Sequence, residues 1–243
     1  MKTITKIIKD PIYGYIEIED GIVRDVIDPP NFQRLRSVRQ TSYAPLYPSA
    51  EHSRFSHSLG VYYLAKRTMG ALETDLKGLF KKHSIPDYYT TRKVFLLAAL
   101  LHDVGHAPFS HTGEIFYDST GGETLSQELV GLLDDGYKID IEMREHMPAP
   151  HEMMSAIVGL DVYKSLIPKG MRDFFVRCIT GDLYYGRKKD ATTGTRVAAK
   201  NGVPDGDQIL NCFISLLNSS TIDVDRLDYL LRDIYIGLSR HFD

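Results

Sequence analysis

The stretch that most constrains this chain is residues 93–111, KVFLLAALLHDVGHAPFSH. Val94 to Leu101, with Val104, make a helix that is apolar on almost every side, so the pattern predicts a buried helix. A buried helix should not end on His102-Asp103. An imidazole and a carboxylate at such an end cost several kcal/mol unless a strong partner meets them. A divalent metal ion is the simplest such partner. Gly105 and Pro108 stop the helix just past the pair. His102, His106 and His111 then fall within ten residues.

The rest of the chain reads as helices around that core. Length 243 is enough for one large domain with a full core, and the net charge of −3 gives no polyanion-binding field. Nucleic acid is therefore not the expected partner. No run reaches the roughly 20 apolar residues of a membrane span, and the N-terminus has no apolar run of signal length. Cys178 and Cys212 both fall in apolar helical segments and read as buried thiols, which suits a reducing cytoplasm.

Residues 1–27 read as a small β hairpin or sheet, with turn signals at Asp10–Gly14 and Asp20-Gly21. Phe32, Leu35 and Val38 share one face of a short basic helix. Arg34, Arg36 and Arg39 lie off that face, either solvated or aimed at phosphates. Residues 42–56 read as irregular loop, and His57 opens a helix. Helices are predicted over 124–133, from His151, over 171–179 and over 207–217. Residues 134–150 read as an acidic loop. Residues 186–206, basic and poor in large apolar side chains, read as a mobile surface loop or a basic lid. In the last helix Leu227, Leu230, Leu231 and Ile234 are assigned to the core, while Asp225, Asp228, Tyr229 and Arg232 form a polar stripe. The fold class is mainly α: a compact helical bundle with a small N-terminal β element, forming one domain over 1–243.

His57, His102, Asp103 and Asp225 are the candidate ligands, two imidazoles and two carboxylates from three segments. Without a thiolate, the set suits an ion that keeps open positions for water and substrate, not a closed structural zinc site.

These residues resemble the H…HD…D signature of the HD phosphohydrolase superfamily. The likeness extends to KDPIYG (9–14), FQRLR (32–36), RFSHSLGV (54–61), HDVGHAPFSH (102–111) and IDVDRLDY (222–229). Together these resemble the branch that contains deoxynucleoside triphosphate triphosphohydrolases, both the bacterial dGTP-type enzymes and the vertebrate HD enzyme with a sterile-alpha-motif domain. The resemblance implies an HD-type helical bundle. It implies one divalent ion (Mn, Fe, Mg, Ni or Zn) on His57, His102, Asp103 and Asp225. Gln40, Arg54, Arg226, Tyr229 and Asp233 match substrate positions, Arg226 standing where relatives often have Lys. His106, His111 and His151 match pocket histidines, with His111 as general acid oriented by Glu114, which replaces an Asp. Asp28 and Arg36 match a regulatory nucleotide position, or form a structural ion pair.

The implied reaction is attack at the α-phosphorus of a deoxynucleoside triphosphate, releasing deoxynucleoside and triphosphate. Two alternatives stay open: another nucleotide phosphoester at the same site, or a metal-stabilised interaction module without catalysis. A homo-oligomer is expected from the resemblance. Family catalytic domains continue past the last Asp motif, so the chain reads as a fragment or a shortened relative.

Overall fold

The computed structural model describes residues 4–41, 51–83, 85, 87–117, 124–144, 146–189 and 196–238. Most of the predicted loop over 42–56 lies outside these. The chain opens with an antiparallel hairpin, β1 (Thr5–Asp10) and β2 (Gly14–Glu19), paired from Thr5 with Glu19 to Asp10 with Gly14. Asp10 Oδ1 accepts from the Ile12 and Tyr13 amides at 2.9 and 3.1 Å, and Gly14 takes φ 74°, so the turn is closed by its own residues. The β reading stops there. Residues 20–27 are helical rather than strand, because Val23, Val26 and Ile27 share one helical face and all three are buried.

The bundle follows: α1 (Arg54–Ala71), α2 (Glu73–His83), α3 (Tyr88–Leu101), α4 (Leu125–Gly131), α5 (Asp135–Ile141), α6 (Pro150–Val162), α7 (Arg172–Thr180), α8 (Asp205–Leu217) and α9 (Val224–Leu238). The predicted buried helix is α3. It is capped by Asp87, whose carboxylate accepts from the Thr90 amide at 2.9 Å, and its residues Val94 to Leu101 are all buried. It packs against α1 on one side and α7 on the other. His102 is its C-terminal cap. Just beyond, the Gly105 backbone lies against α6, its amide donating to Ser155 Oγ at 2.8 Å. A Cβ there would overlap the Ser155 amide and Met154, so only glycine allows this approach.

Four further assignments change. Residues 135–141 form α5 instead of an acidic loop, since Asp134 caps the helix and Tyr137 and Asp140 are buried on it. The predicted loop over 186–206 contains a second antiparallel ribbon, β3 (Gly186–Lys189) with β4 (Arg196–Ala199); residues 190–195 lie outside the described part. Strand pairing here needs no apolar alternation, which is why composition concealed it. Cys178 is buried as expected, but Cys212 is exposed on α8.

The fourth change is the orientation of α9. Leu227, Leu230, Leu231 and Ile234 are exposed, while Asp228 and Arg232 are 0 and 2% exposed. The helical period is as read, but the polar stripe faces inward. Arg232 is the reason: its Nε donates to Asp228 Oδ2 at 2.7 Å and its two terminal nitrogens reach Asp10 Oδ2 at 3.1 Å. A buried charge paired on both sides can be carried inside, where an unpaired one cannot. α9 crosses α1 at Gly60, where a Cβ would overlap the Asp228 carboxylate and the Arg232 guanidinium. Among the described residues no helix is long and apolar enough to cross a membrane.

Candidate metal centre

Three elements converge at the C-terminal end of α3. α1 brings His57, the α3 end brings His102 and Asp103, and the first turn of α9 brings Asp225. The His57 and His102 Nε2 atoms face each other at 3.2 Å. Asp225 Oδ1 lies 2.8 Å from His57 Nε2 and 3.7 Å from His102 Nε2. Asp103 approaches both rings at 3.7 Å, through Oδ2 to His57 and Oδ1 to His102.

These spacings fit a shared ion. Bonds of about 2.1 Å place neighbouring ligand atoms about 3 Å apart and opposite ones about 4 Å apart. Donor atoms of His57, His102 and Asp103 all lie within 4.8 Å of one another.

The outer contacts fix which nitrogen points inward. His102 Nδ1 donates to the Ala99 carbonyl at 2.9 Å, and His57 Nδ1 donates to Asp228 Oδ2 at 2.8 Å. Both Nε2 atoms are therefore left for the centre, the arrangement metal-binding histidines adopt. Burial works against a charged His57, yet Asp225 and Asp228 outweigh it and lift its pKa to about 10. The cluster thus favours positive charge where the two rings meet.

Asp228 itself is held by a relay from the hairpin. Its Oδ1 accepts from the Tyr13 hydroxyl at 2.6 Å, and Arg232 links it to Asp10. Burial, reinforced by the Asp228 charge, drives the Tyr13 phenol far above its usual pKa, so it stays a donor. This gives the KDPIYG stretch a physical role. We expect Asp228→Asn to weaken divalent-metal affinity by about 10- to 100-fold, the usual effect of losing such an outer partner. Competition with a fluorescent chelator measures it; an unchanged affinity would contradict the relay.

Asp103 also joins the centre to Arg54, whose Nη1 donates to Asp103 Oδ2 at 2.6 Å in a fully buried pair. The rest of the Arg54 guanidinium donates to Ser110 Oγ from Nε at 3.1 Å and from Nη2 at 2.6 Å. Nη2 also stands 3.4 Å from the Gln40 carbonyl and from His111 Nε2. Ser110 has φ 54°, the left-handed region, and is buried. Strained non-glycine backbone of this kind gathers at functional sites.

A second cluster adjoins the first. Glu114 Oε1 accepts from His111 Nδ1 and from His151 Nδ1, both at 2.8 Å. Since Arg54 Nη2 faces His111 Nε2, the proton of a neutral His111 belongs on Nδ1. His106 stacks on His151 with ring centres 4.0 Å apart, and its Nε2 is 3.2 Å from Asp103 Oδ1. Burial, opposed by Asp103, pushes the His106 pKa down to about 3, so the ring is neutral. These four donors could also hold a cation. However, both Nδ1–H groups already satisfy Glu114, whereas the Nε2 pair of the first cluster has no such partner pointing away from the centre.

The remaining candidates are placed as follows. Gln40 has its Oε1 buried without a partner. Asp233 is exposed, 3.7 Å from His52 Nε2. Tyr229 is half-buried on α9. Arg226 turns away from the centre, donating to the carbonyls of Ser220 and Thr221. Arg34 donates to the Val104 carbonyl at 2.6 Å, Arg36 stacks on the Phe55 ring at 3.6 Å and Arg39 lies 3.7 Å from Glu51, so this arginine row is spent on the protein itself. Asp28 approaches Lys6 at 3.9 Å while Arg36 bonds Gln33, so the two form no ion pair with each other. Sequence reasoning gave no role to Asp228 or Ser110. Asp228 could have been found, since it lies one turn past Asp225; nothing in the sequence marks the Ser110 backbone.

Known proteins resemble this chain over nearly its whole length. The HD domain family model matches residues 54–159. "Deoxynucleoside triphosphate triphosphohydrolase SAMHD1" of Gallus gallus is 31% identical over 257 residues, covering 99% of this chain and 35% of that protein. "Uncharacterized protein YwfO" of Bacillus subtilis is 42% identical over 243 residues, covering 98% of this chain and 42% of that one. This chain therefore spans well under half the length of these two relatives. A crystal structure of a hypothetical protein from Aquifex aeolicus superposes with a TM-score of 0.55 at 25% identity, covering 97% of this chain and 48% of that one.

Proposed function

We propose, from the HD domain that the chain carries over residues 54–159, that this protein is a divalent-metal-dependent phosphohydrolase whose substrate is a deoxynucleoside triphosphate. The observation that carries the reading is the pair of facing Nε2 atoms, each fixed by an Nδ1 contact, between the carboxylates of Asp103 and Asp225. An ion bound there supplies Lewis acidity and a water of lowered pKa. The chain's own groups do the rest. Arg54, locked by Asp103 and Ser110, has among the described residues one Nη1–H left for a phosphate oxygen. Glu114 holds His111 with Nδ1 protonated and Nε2 turned toward Arg54. His111 is the general acid in this reading, handing a proton to the leaving oxygen, a contribution of roughly 10²- to 10⁴-fold. His151 shares the same carboxylate and keeps it in place.

The SAMHD1 name supports the triphosphate substrate. One observation favours a smaller phosphoester instead: Arg226 is bound to its own loop, so the second phosphate-facing arginine is not assembled. Incubation with each dNTP in Mn²⁺ or Mg²⁺, scoring deoxynucleoside release, separates the readings. We expect turnover that chelation abolishes and added metal restores. Diester or monoester cleavage with intact dNTPs would transfer the assignment to the second reading, and no turnover on any phosphoester would end both.

A further inference from the structure

A cleft of about 210 Å³ runs along α3 from Tyr89 to Leu100, with its charged rim at the end of the helix remote from the metal centre. Ten residues separate Arg92 from His102, so the helix rise puts the two about 15 Å apart. The floor is apolar, made by Leu96, Leu97 and Leu100 of α3 with Tyr62 of α1 closing one wall. The rim is cationic, carrying Arg92 and Lys93.

The rim is where the structure is incomplete. Arg92 Nε is buried and has no hydrogen-bond partner among the described residues. Among the described residues neither Arg92 nor Lys93 forms an ion pair, although other lysines and arginines nearby do; Lys77 on α2, for example, meets Glu73 at 2.6 Å. A guanidinium N–H withdrawn from water without an acceptor costs free energy that a ligand acceptor would recover. Glu19, also in the lining, leaves the cleft with one net positive charge. Its volume is below the roughly 300–1,000 Å³ of drug-sized sites, so the occupant is small.

We infer that this cleft binds a small amphiphilic anion, with one carboxylate or phosphate head on Arg92 and Lys93 and a short apolar body on the leucine floor. Most of its lining belongs to the two helices that carry His57 and His102, and Tyr62 stands five residues past His57 on α1. An occupant therefore bears on both helices that build the metal centre. The site is independent of which phosphoester the protein hydrolyses.

The test is titration of the whole chain with hexanoate, phenyl phosphate and neutral hexanol, read by ligand-detected NMR without any nucleotide present. We expect saturable binding of at least one anion, the tighter of the two naming the head group, and binding of hexanol at least tenfold weaker. Arg92→Met and Lys93→Met should each weaken the anion by at least fivefold. Lys93 is exposed, so its variant carries the comparison should Arg92→Met fail to fold. Non-saturable binding of both anions, hexanol binding as well as hexanoate, or anion affinity unchanged in a folded Lys93→Met and Arg92→Met pair would overturn the inference.

Discussion

Asp103→Asn is expected to lose bound divalent metal and to lower phosphohydrolysis by at least about 10³-fold, which corresponds to roughly 4 kcal/mol of transition-state stabilisation. Asp103 is 2% exposed, and burial alone would favour its neutral form. The positive charges of Arg54 and His102 outweigh burial and hold it ionised well below the usual carboxylate range. Asparagine keeps the shape but removes the charge at a position that faces both rings of the centre and also anchors Arg54 at 2.6 Å. The variant therefore loses a ligand and leaves a buried guanidinium without its counter-ion. Elemental analysis of the purified variant and an Mn²⁺-supported hydrolysis assay measure both effects, with circular dichroism reporting whether it is folded. A folded variant with stoichiometric metal and activity within tenfold of the parent would contradict the assignment.

Arg177→Met is expected to destabilise the fold by about 3–5 kcal/mol while leaving the metal centre intact. Arg177 is 1% exposed on α7. Its Nη2 donates to Asp140 Oδ2 and its Nε to Asp173 Oδ2, both at 2.8 Å, and its Nη1 donates to the Leu183 carbonyl at 2.7 Å. The guanidinium lies 4.0 Å over the Tyr184 ring. Methionine fills much of the space but removes the guanidinium from the Asp140 carboxylate, which is 1% exposed. Urea unfolding measures the loss, and a double variant with Asp140→Leu should recover most of it, because removing both charges costs less than removing one. A loss below about 1 kcal/mol would contradict this.

Legibility in the sequence followed the physics of each feature. The α3 helix and its His102-Asp103 end were readable because nine apolar residues leave no polar face for solvent, and because ionisable residues at a buried end demand a partner. The candidate metal set was chosen by residue type, two imidazoles and two carboxylates on predicted helices, and these side chains do converge. The face of α9 was not. An apolar stripe of four residues ordinarily marks the core side, and here the buried charge pairs of Asp228 and Arg232, with Asp10 from the far end of the chain, reverse it. That pairing spans 222 positions, and no local pattern records it. The Ser110 backbone and the β3–β4 ribbon escaped for a similar reason, since neither carries a periodic apolar signal. Arg226 shows the converse: its place in the IDVDRLDY stretch suggested a phosphate contact, while its Nη1 donates to the carbonyls of Ser220 and Thr221.

The most direct measurement is the anomalous scattering of crystals grown with Mn²⁺. The account predicts one strong peak about 2.1–2.3 Å from His57 Nε2, His102 Nε2 and the carboxylates of Asp103 and Asp225. A peak confined to the neighbouring group of His106, His111, Glu114 and His151, or no peak beside either group, would contradict it.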